Sequence, residues 1–211
     1  MITIVSGIPR SGTSMMMQML AAGGMPVLTD HVRTSNPDTP RGYLEWEGAK
    51  RLPREPHLIA EAEGKCVKIV SQLLFALNTG HEYQVIFMNR DLGEVVSSQN
   101  AVTERLGTTL KGLSNEMLLR GLRSHLGQVK ALLHGRAGLR LIDVHYQAVL
   151  ATRTSPSTKF AIFSGRILNR RQCCEQSIRI STTIAPCRRA RHANPIQVSG
   201  QPLEGRVPVF Y

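Results

Sequence analysis

The sequence predicts an α/β protein, a three-layer fold with a central parallel sheet. Three observations carry the prediction. Short β-branched runs recur along the first 150 residues, segments of helical character separate them, and the first run enters the first helix through a glycine-rich turn. Strands that alternate with helices need crossover connections, which make the strands parallel and put helices on the sheet faces.

Residues 2–6 read as a buried strand, because the run is short, β-branched and ended by glycine. Residues 7–12 make a Gly/Pro/Ser turn. Residues 13–22 carry Met, Leu and Ala throughout, as a buried helix does, and Gly23-Gly24 stops it. The polar stretch 29–42, with two prolines, reads as loop, and 43–52 starts a short helix. Residues 67–70 and 84–88 are the next strands. Residues 92–106 and 114–134 are helices, with Asp91 as the cap of the first. In the second, Leu118, Leu119, Leu122, Leu126, Val129 and Leu133 form a stripe that suits core packing rather than a binding face. Residues 139–144 are the fourth strand.

Composition separates a body from a tail. Hydrophobic residues make up 42% of the chain, enough for a sizeable core. No run approaches the ~20 apolar residues of a membrane span, and the first strand runs into Gly7 and Pro9 without an export signal. The expectation is a cytoplasmic protein with no membrane partner. Net charge is +11, yet residues 1–150 hold 16 Lys and Arg against 13 Asp and Glu, while residues 151–211 hold 10 against 2. Three of the four cysteines, Cys173, Cys174 and Cys187, also fall in the tail. There Ser, Thr, Arg and Pro dominate and neither structural period survives, so 151–211 reads as an irregular basic tail that stays disordered.

The chemistry starts at Gly7-Ile8-Pro9-Arg10-Ser11-Gly12-Thr13-Ser14. Gly7 and Gly12 have the spacing of a Walker A loop and Ser14 fills its hydroxyl position, but Thr13 stands where that motif has lysine. A plain strand–turn–helix connection accounts for the glycines alone. Backbone N–H groups and the positive helix end nonetheless make an anion site, and Arg10 adds a permanent charge suited to phosphate. A second basic position, Arg90, ends the third strand, and Ser98 follows it by eight residues on the next helix. An arginine at the carboxyl end of a parallel strand faces the ligand crevice of such sheets.

These two strings resemble the sulfotransferase family that uses 3′-phosphoadenylyl sulfate (PAPS). Its 5′-phosphosulfate loop reads Pro-Lys/Arg-Ser-Gly-Thr-Thr/Ser, and residues 9–14 match it throughout. The likeness covers residues 1 to about 150. It implies a P-loop fold in which Arg10, Ser11, Gly12, Thr13 and Ser14 bind the 5′ phosphosulfate. Arg90 and Ser98 then bind the 3′ phosphate, and no metal is needed. Arg10 is also expected to balance charge as the sulfuryl group moves.

A general base is needed for the acceptor hydroxyl, which belongs to a small molecule or a peptide. Asp30, His31, Glu45 and Glu47 are the candidates. Asp30 and His31 lie about twenty residues after Arg10, where some relatives place a catalytic Glu, and Glu45 closes Pro40-Arg41-Gly42-Tyr43-Leu44-Glu45, which resembles a substrate-side loop of bacterial members. Glu45 is preferred narrowly over Asp30. His57, His81, His125 and His134 read as surface residues, and no His/Cys spacing suggests zinc.

The family pattern also bears on the tail. After the "Tyr…Leu" string at Tyr146 and Leu150, relatives continue with Asp-Pro and later Phe-Leu-Gly as a closing helix. Here Ala151-Thr152-Arg153 follows instead. Codons open to residues 152 onward, read one base earlier with suitable third bases, encode both missing strings. The expectation is that 152–211 is out of frame, and that nucleotide binding survives while catalysis is poor or absent. The competing reading is a P-loop nucleotide-binding protein or kinase using ATP, against which stand the missing Walker lysine and the lack of a clear Walker B Asp. A nucleic-acid binder rests on the tail's charge alone, and the tail lacks interleaved aromatics.

Overall fold

The computed structural model describes residues 1–30, 32, 43–105, 107 and 114–151. The tail 152–211, His31 and residues 33–42, with Pro40-Arg41-Gly42, lie outside the described residues. In chain order the elements are β1 (Ile2–Gly7), α1 (Thr13–Ala22), α2 (Gly48–Arg51), β2 (Cys66–Lys68), β3 (Tyr83–Asn89), α3 (Leu92–Arg105), α4 (Asn115–Gly135), β4 (Leu139–His145) and α5 (Tyr146–Ala151). Two 3₁₀ turns, Pro56–Ala62 and Ser71–Ala76, flank β2.

The four strands form one sheet of order β2-β1-β3-β4, parallel throughout. Ile4 pairs with Val67 on one side and Val85 on the other, and Val85 pairs with Leu141. Both faces are covered, which is why β1 is buried along its whole length. On one face Ile4, Val67, Val85 and Phe87 pack with Leu74 of the second 3₁₀ turn and with Val129 and Leu133 of α4. On the other, Val5, Ile86 and Met88 meet Met16, Met17 and Leu20 of α1 and Val149 of α5. Burying a side chain of this size is worth ~1.5–3 kcal/mol. The α4 stripe is core, as expected, and it is shared: Leu118 and Leu122 pack on Val95 and Val96 of α3.

Two expectations change in detail. The helix start expected over 43–52 contracts to Gly48–Arg51, because residues 43–47 are tied to the 29–30 segment. Thr29 Oγ1 donates to the Glu45 carbonyl at 2.9 Å, and Glu47 N donates to Asp30 Oδ2 at 2.5 Å. The strand expected over 67–70 runs Cys66–Lys68, since the chain turns into the 3₁₀ turn at Ser71. Asp91 caps α3 as anticipated, accepting from Glu94 N at 3.0 Å.

Strand order fixes where a ligand can sit. From β1 the chain crosses to β2 on one side of the sheet, and from β3 it crosses to β4 on the other. The connections leaving β1 and β3 therefore diverge, and the crevice between them lies at the carboxyl edge. No helix among the described residues is long and apolar enough to cross a membrane.

Candidate anion site at the carboxyl edge

The turn from β1 into α1 owes its shape to two glycines. A Cβ on Gly7 would lie 2.8 Å from the Met88 carbonyl of β3, so only glycine lets the turn fold back over that strand. Gly12 has φ +99° and the Tyr146 ring against it, 2.6 Å from where a Cβ would be. α1 then opens with no side-chain cap and no acidic residue in its first turn. Its first N–H groups have no partner within the helix, and the positive end of the helix dipole faces the same way. Ser11 is 1% exposed and its Oγ has no hydrogen-bond partner among the described residues. An unpartnered buried hydroxyl beside an uncapped helix start is suited to an incoming acceptor such as a phosphate oxygen.

Two arginines flank this start. Arg10 Nε donates to Ser98 Oγ of α3 at 3.0 Å, and no carboxylate pairs with it among the described residues. Arg90, just past β3, donates Nη1 to the Arg10 carbonyl at 2.9 Å and Nε to Glu94 Oε2 at 2.8 Å. Its guanidinium lies 4.4 Å from the centroid of the Tyr146 ring. Gln147 Nε2 holds Glu94 in turn, at 2.9 Å from Oε1. A narrow cleft lined by Ile8, Ser11, Asn89, Arg90, Val95 and Leu126 runs alongside. By spacing alone, Arg90 and Ser98 fall on one anion and Arg10 on another. In the structure all three adjoin, with Ser98 on Arg10 and Arg90 on the loop backbone.

Thr13 is buried at the helix start, and Ser14 is bonded from below. Lys68, at the end of β2, donates Nζ to Ser14 Oγ at 3.0 Å and to Glu45 Oε1 at 2.7 Å. Its side chain is 7% exposed and Glu45's is 22%. Sequence reasoning missed Lys68. The available signal was a lone charge inside the apolar run Val67-Lys68-Ile69, because a buried ammonium must find a partner.

The remaining base candidates separate. Glu45 reaches the helix start through Lys68. Asp30 is engaged with backbone, accepting from Val32 N as well as from Glu47 N. Glu47 pairs with Lys50 at 2.7 Å. Of the histidines, His125 is not on the surface: it is half-buried, 2.8 Å from Ser71 Oγ, and burial lowers its pKa. Burial likewise pushes the Cys66 thiol up to about 12. No group of three or more His, Cys, Asp or Glu among the described residues could hold a metal.

No family profile and no curated protein matches this chain. Among solved structures it is similar to an uncharacterized protein from Eubacterium ventriosum ATCC 27560. That likeness has 14% identity, covers 71% of this chain and 96% of the other, and has a TM-score of 0.27. A likeness of that size says nothing of function.

Proposed function

We propose that the chain is a P-loop sulfotransferase that moves a sulfuryl group from PAPS to a hydroxyl of a small molecule or peptide. One observation carries the reading. Beside an uncapped helix start, Arg10 of the loop after β1 bonds Ser98, and Arg90, just past the adjacent parallel strand β3, bonds the Arg10 carbonyl. PAPS is anionic at both its 5′ and 3′ ends, and a site of this kind offers each end an arginine. The start of α1, with Ser11, Gly12, Thr13 and Ser14, takes the 5′ phosphosulfate. Arg90 and Ser98 take the 3′ phosphate, and a positive charge there needs no metal.

In the reaction the acceptor oxygen attacks sulfur while the bond from sulfur to the 5′-phosphate oxygen breaks. The acceptor proton passes to Glu45, and 3′-phosphoadenosine 5′-phosphate leaves. Arg10 and Lys68 steady the negative charge that grows on the leaving phosphate. As Lys68 turns toward that phosphate it releases Glu45, which becomes the stronger base. Asp30 serves by holding the 43–47 segment that carries Glu45, through its bond to Glu47 N.

One observation favours the ATP reading: Lys68 brings to the helix start the ammonium that Thr13 does not supply. Against it, the Ser14 hydroxyl that would ligate Mg²⁺ in an ATP site is already bonded to Lys68. Thermal unfolding with 3′-phosphoadenosine 5′-phosphate, ATP–Mg²⁺ and an oligonucleotide, run in parallel, separates the readings. At about 100 times its Kd a ligand stabilises by ~2.7 kcal/mol, roughly 5–10 °C in Tm for a chain of this size. The 3′-phosphorylated nucleotide is expected to give that shift and the others little. A shift with ATP–Mg²⁺ alone would favour the kinase reading instead.

A further inference from the structure

Arg10 has φ +75°, in the left-handed region that disfavours residues carrying a Cβ. A position that needs only a turn would hold glycine, as Gly12 does two residues later. The compensation is visible. Arg10's carbonyl, aimed by that φ, accepts a charge-assisted bond from Arg90 Nη1 at 2.9 Å. Arg90 is itself fixed on two further sides, by Glu94 through Nε and by the Tyr146 ring against its face. Glu94 is in turn bonded by Gln147.

We propose that Arg90 is a positioning residue for the glycine loop: it holds Arg10 in the left-handed conformation that shapes the start of α1. The anion site on β1 therefore depends on a residue supplied by β3, and the two phosphate subsites form one cooperative unit. Arg90 keeps Nη2 without a partner among the described residues, so holding the loop leaves it a donor edge for an anion. The nucleotide part of the test below rests on the sulfotransferase reading, and the stability part does not.

The experiment is a double-mutant cycle on the full chain with Arg90→Met, Arg10→Gly and the pair. Glycine adopts a positive φ without strain, so it needs no holding. Arg90→Met is expected to lower Tm by about 3 °C or more in the wild-type background, and by less than half as much in the Arg10→Gly background. Repulsion between the two arginines would give the opposite sign. An equal or larger loss in the Arg10→Gly background overturns the proposal. Arg90→Gln carries the same comparison if Arg90→Met does not fold.

The second reading uses adenosine 5′-phosphate, which has no 3′ phosphate. Arg90→Met is expected to weaken its binding about five-fold, roughly 1 kcal/mol, because the loop that holds the 5′ phosphate loosens. Unchanged affinity, in a chain whose wild type binds this nucleotide, overturns the proposal. Failure of the wild type to bind either adenosine 5′-phosphate or 3′-phosphoadenosine 5′-phosphate defeats the functional reading. The Tm cycle then still decides the role of Arg90.

Discussion

Gly12→Ala is expected to abolish nucleotide binding and to destabilise the fold by ~2–4 kcal/mol. Two costs combine at this position. At φ +99° a Cβ is strained against its own backbone, and that Cβ would sit 2.6 Å from the Tyr146 ring. Tyr146 has no easy escape, because its ring is stacked with the Arg90 guanidinium. Relief therefore requires moving either the helix start or Arg90, and each is part of the proposed site. Gly24→Ala is the control. Its φ of +85° imposes a similar backbone strain, but nothing lies within 4 Å of its Cβ position. That variant is expected to cost ~1 kcal/mol and to leave binding unchanged. Chemical denaturation and nucleotide titration of both variants make the comparison. Equal losses would mean that Tyr146 does not constrain the loop.

If the chain is the proposed sulfotransferase, Lys68→Met is expected to reduce whatever sulfuryl transfer it shows at least ~100-fold, as removal of one preorganised donor at a developing charge does. It also removes the Lys68 ammonium from beside the Glu45 carboxylate, which is 22% exposed. Removing one partner of a fully buried pair costs ~3–5 kcal/mol, and partial access to water reduces this to ~1–3 kcal/mol. The double variant Lys68→Met/Glu45→Gln separates the two effects. Stability is expected to return in part once the Glu45 charge is gone, while transfer stays lost. Recovery of activity in the double variant would mean that Glu45 is not the base and that Lys68 serves only to neutralise it.

What was legible in the sequence follows a physical division. The parallel sheet could be read because each strand lies in a short run rich in Val, Ile or Leu, and because helices intervene. The glycine loop could be read because its constraint is local: Gly7 and Gly12 are demanded by backbone approach and φ within one turn. Contacts between distant segments leave no such period. Nothing in the spacing of Arg10 and Ser98 says that these side chains bond to one another across 88 positions. Tyr146 was visible as part of a family string, but its packing on Gly12 and Arg90 depends on how β4 enters α5. Residues 43–47 looked helical by composition and stay outside the helix because the 29–30 segment captures them. Lys68 lay inside an apolar strand, where its charge was the clue and its partner, Glu45, stands 23 positions away.

The most direct test of the two-anion site is a crystal structure of the chain with 3′-phosphoadenosine 5′-phosphate. The account predicts the 5′ phosphate at the start of α1, within hydrogen-bond distance of Arg10 and the backbone of Gly12 to Ser14. It places the 3′ phosphate on Arg90 and Ser98, with Arg10 drawn off the Ser98 hydroxyl. A nucleotide bound with its 3′ phosphate away from Arg90, or held outside the crevice between β1 and β3, would contradict it.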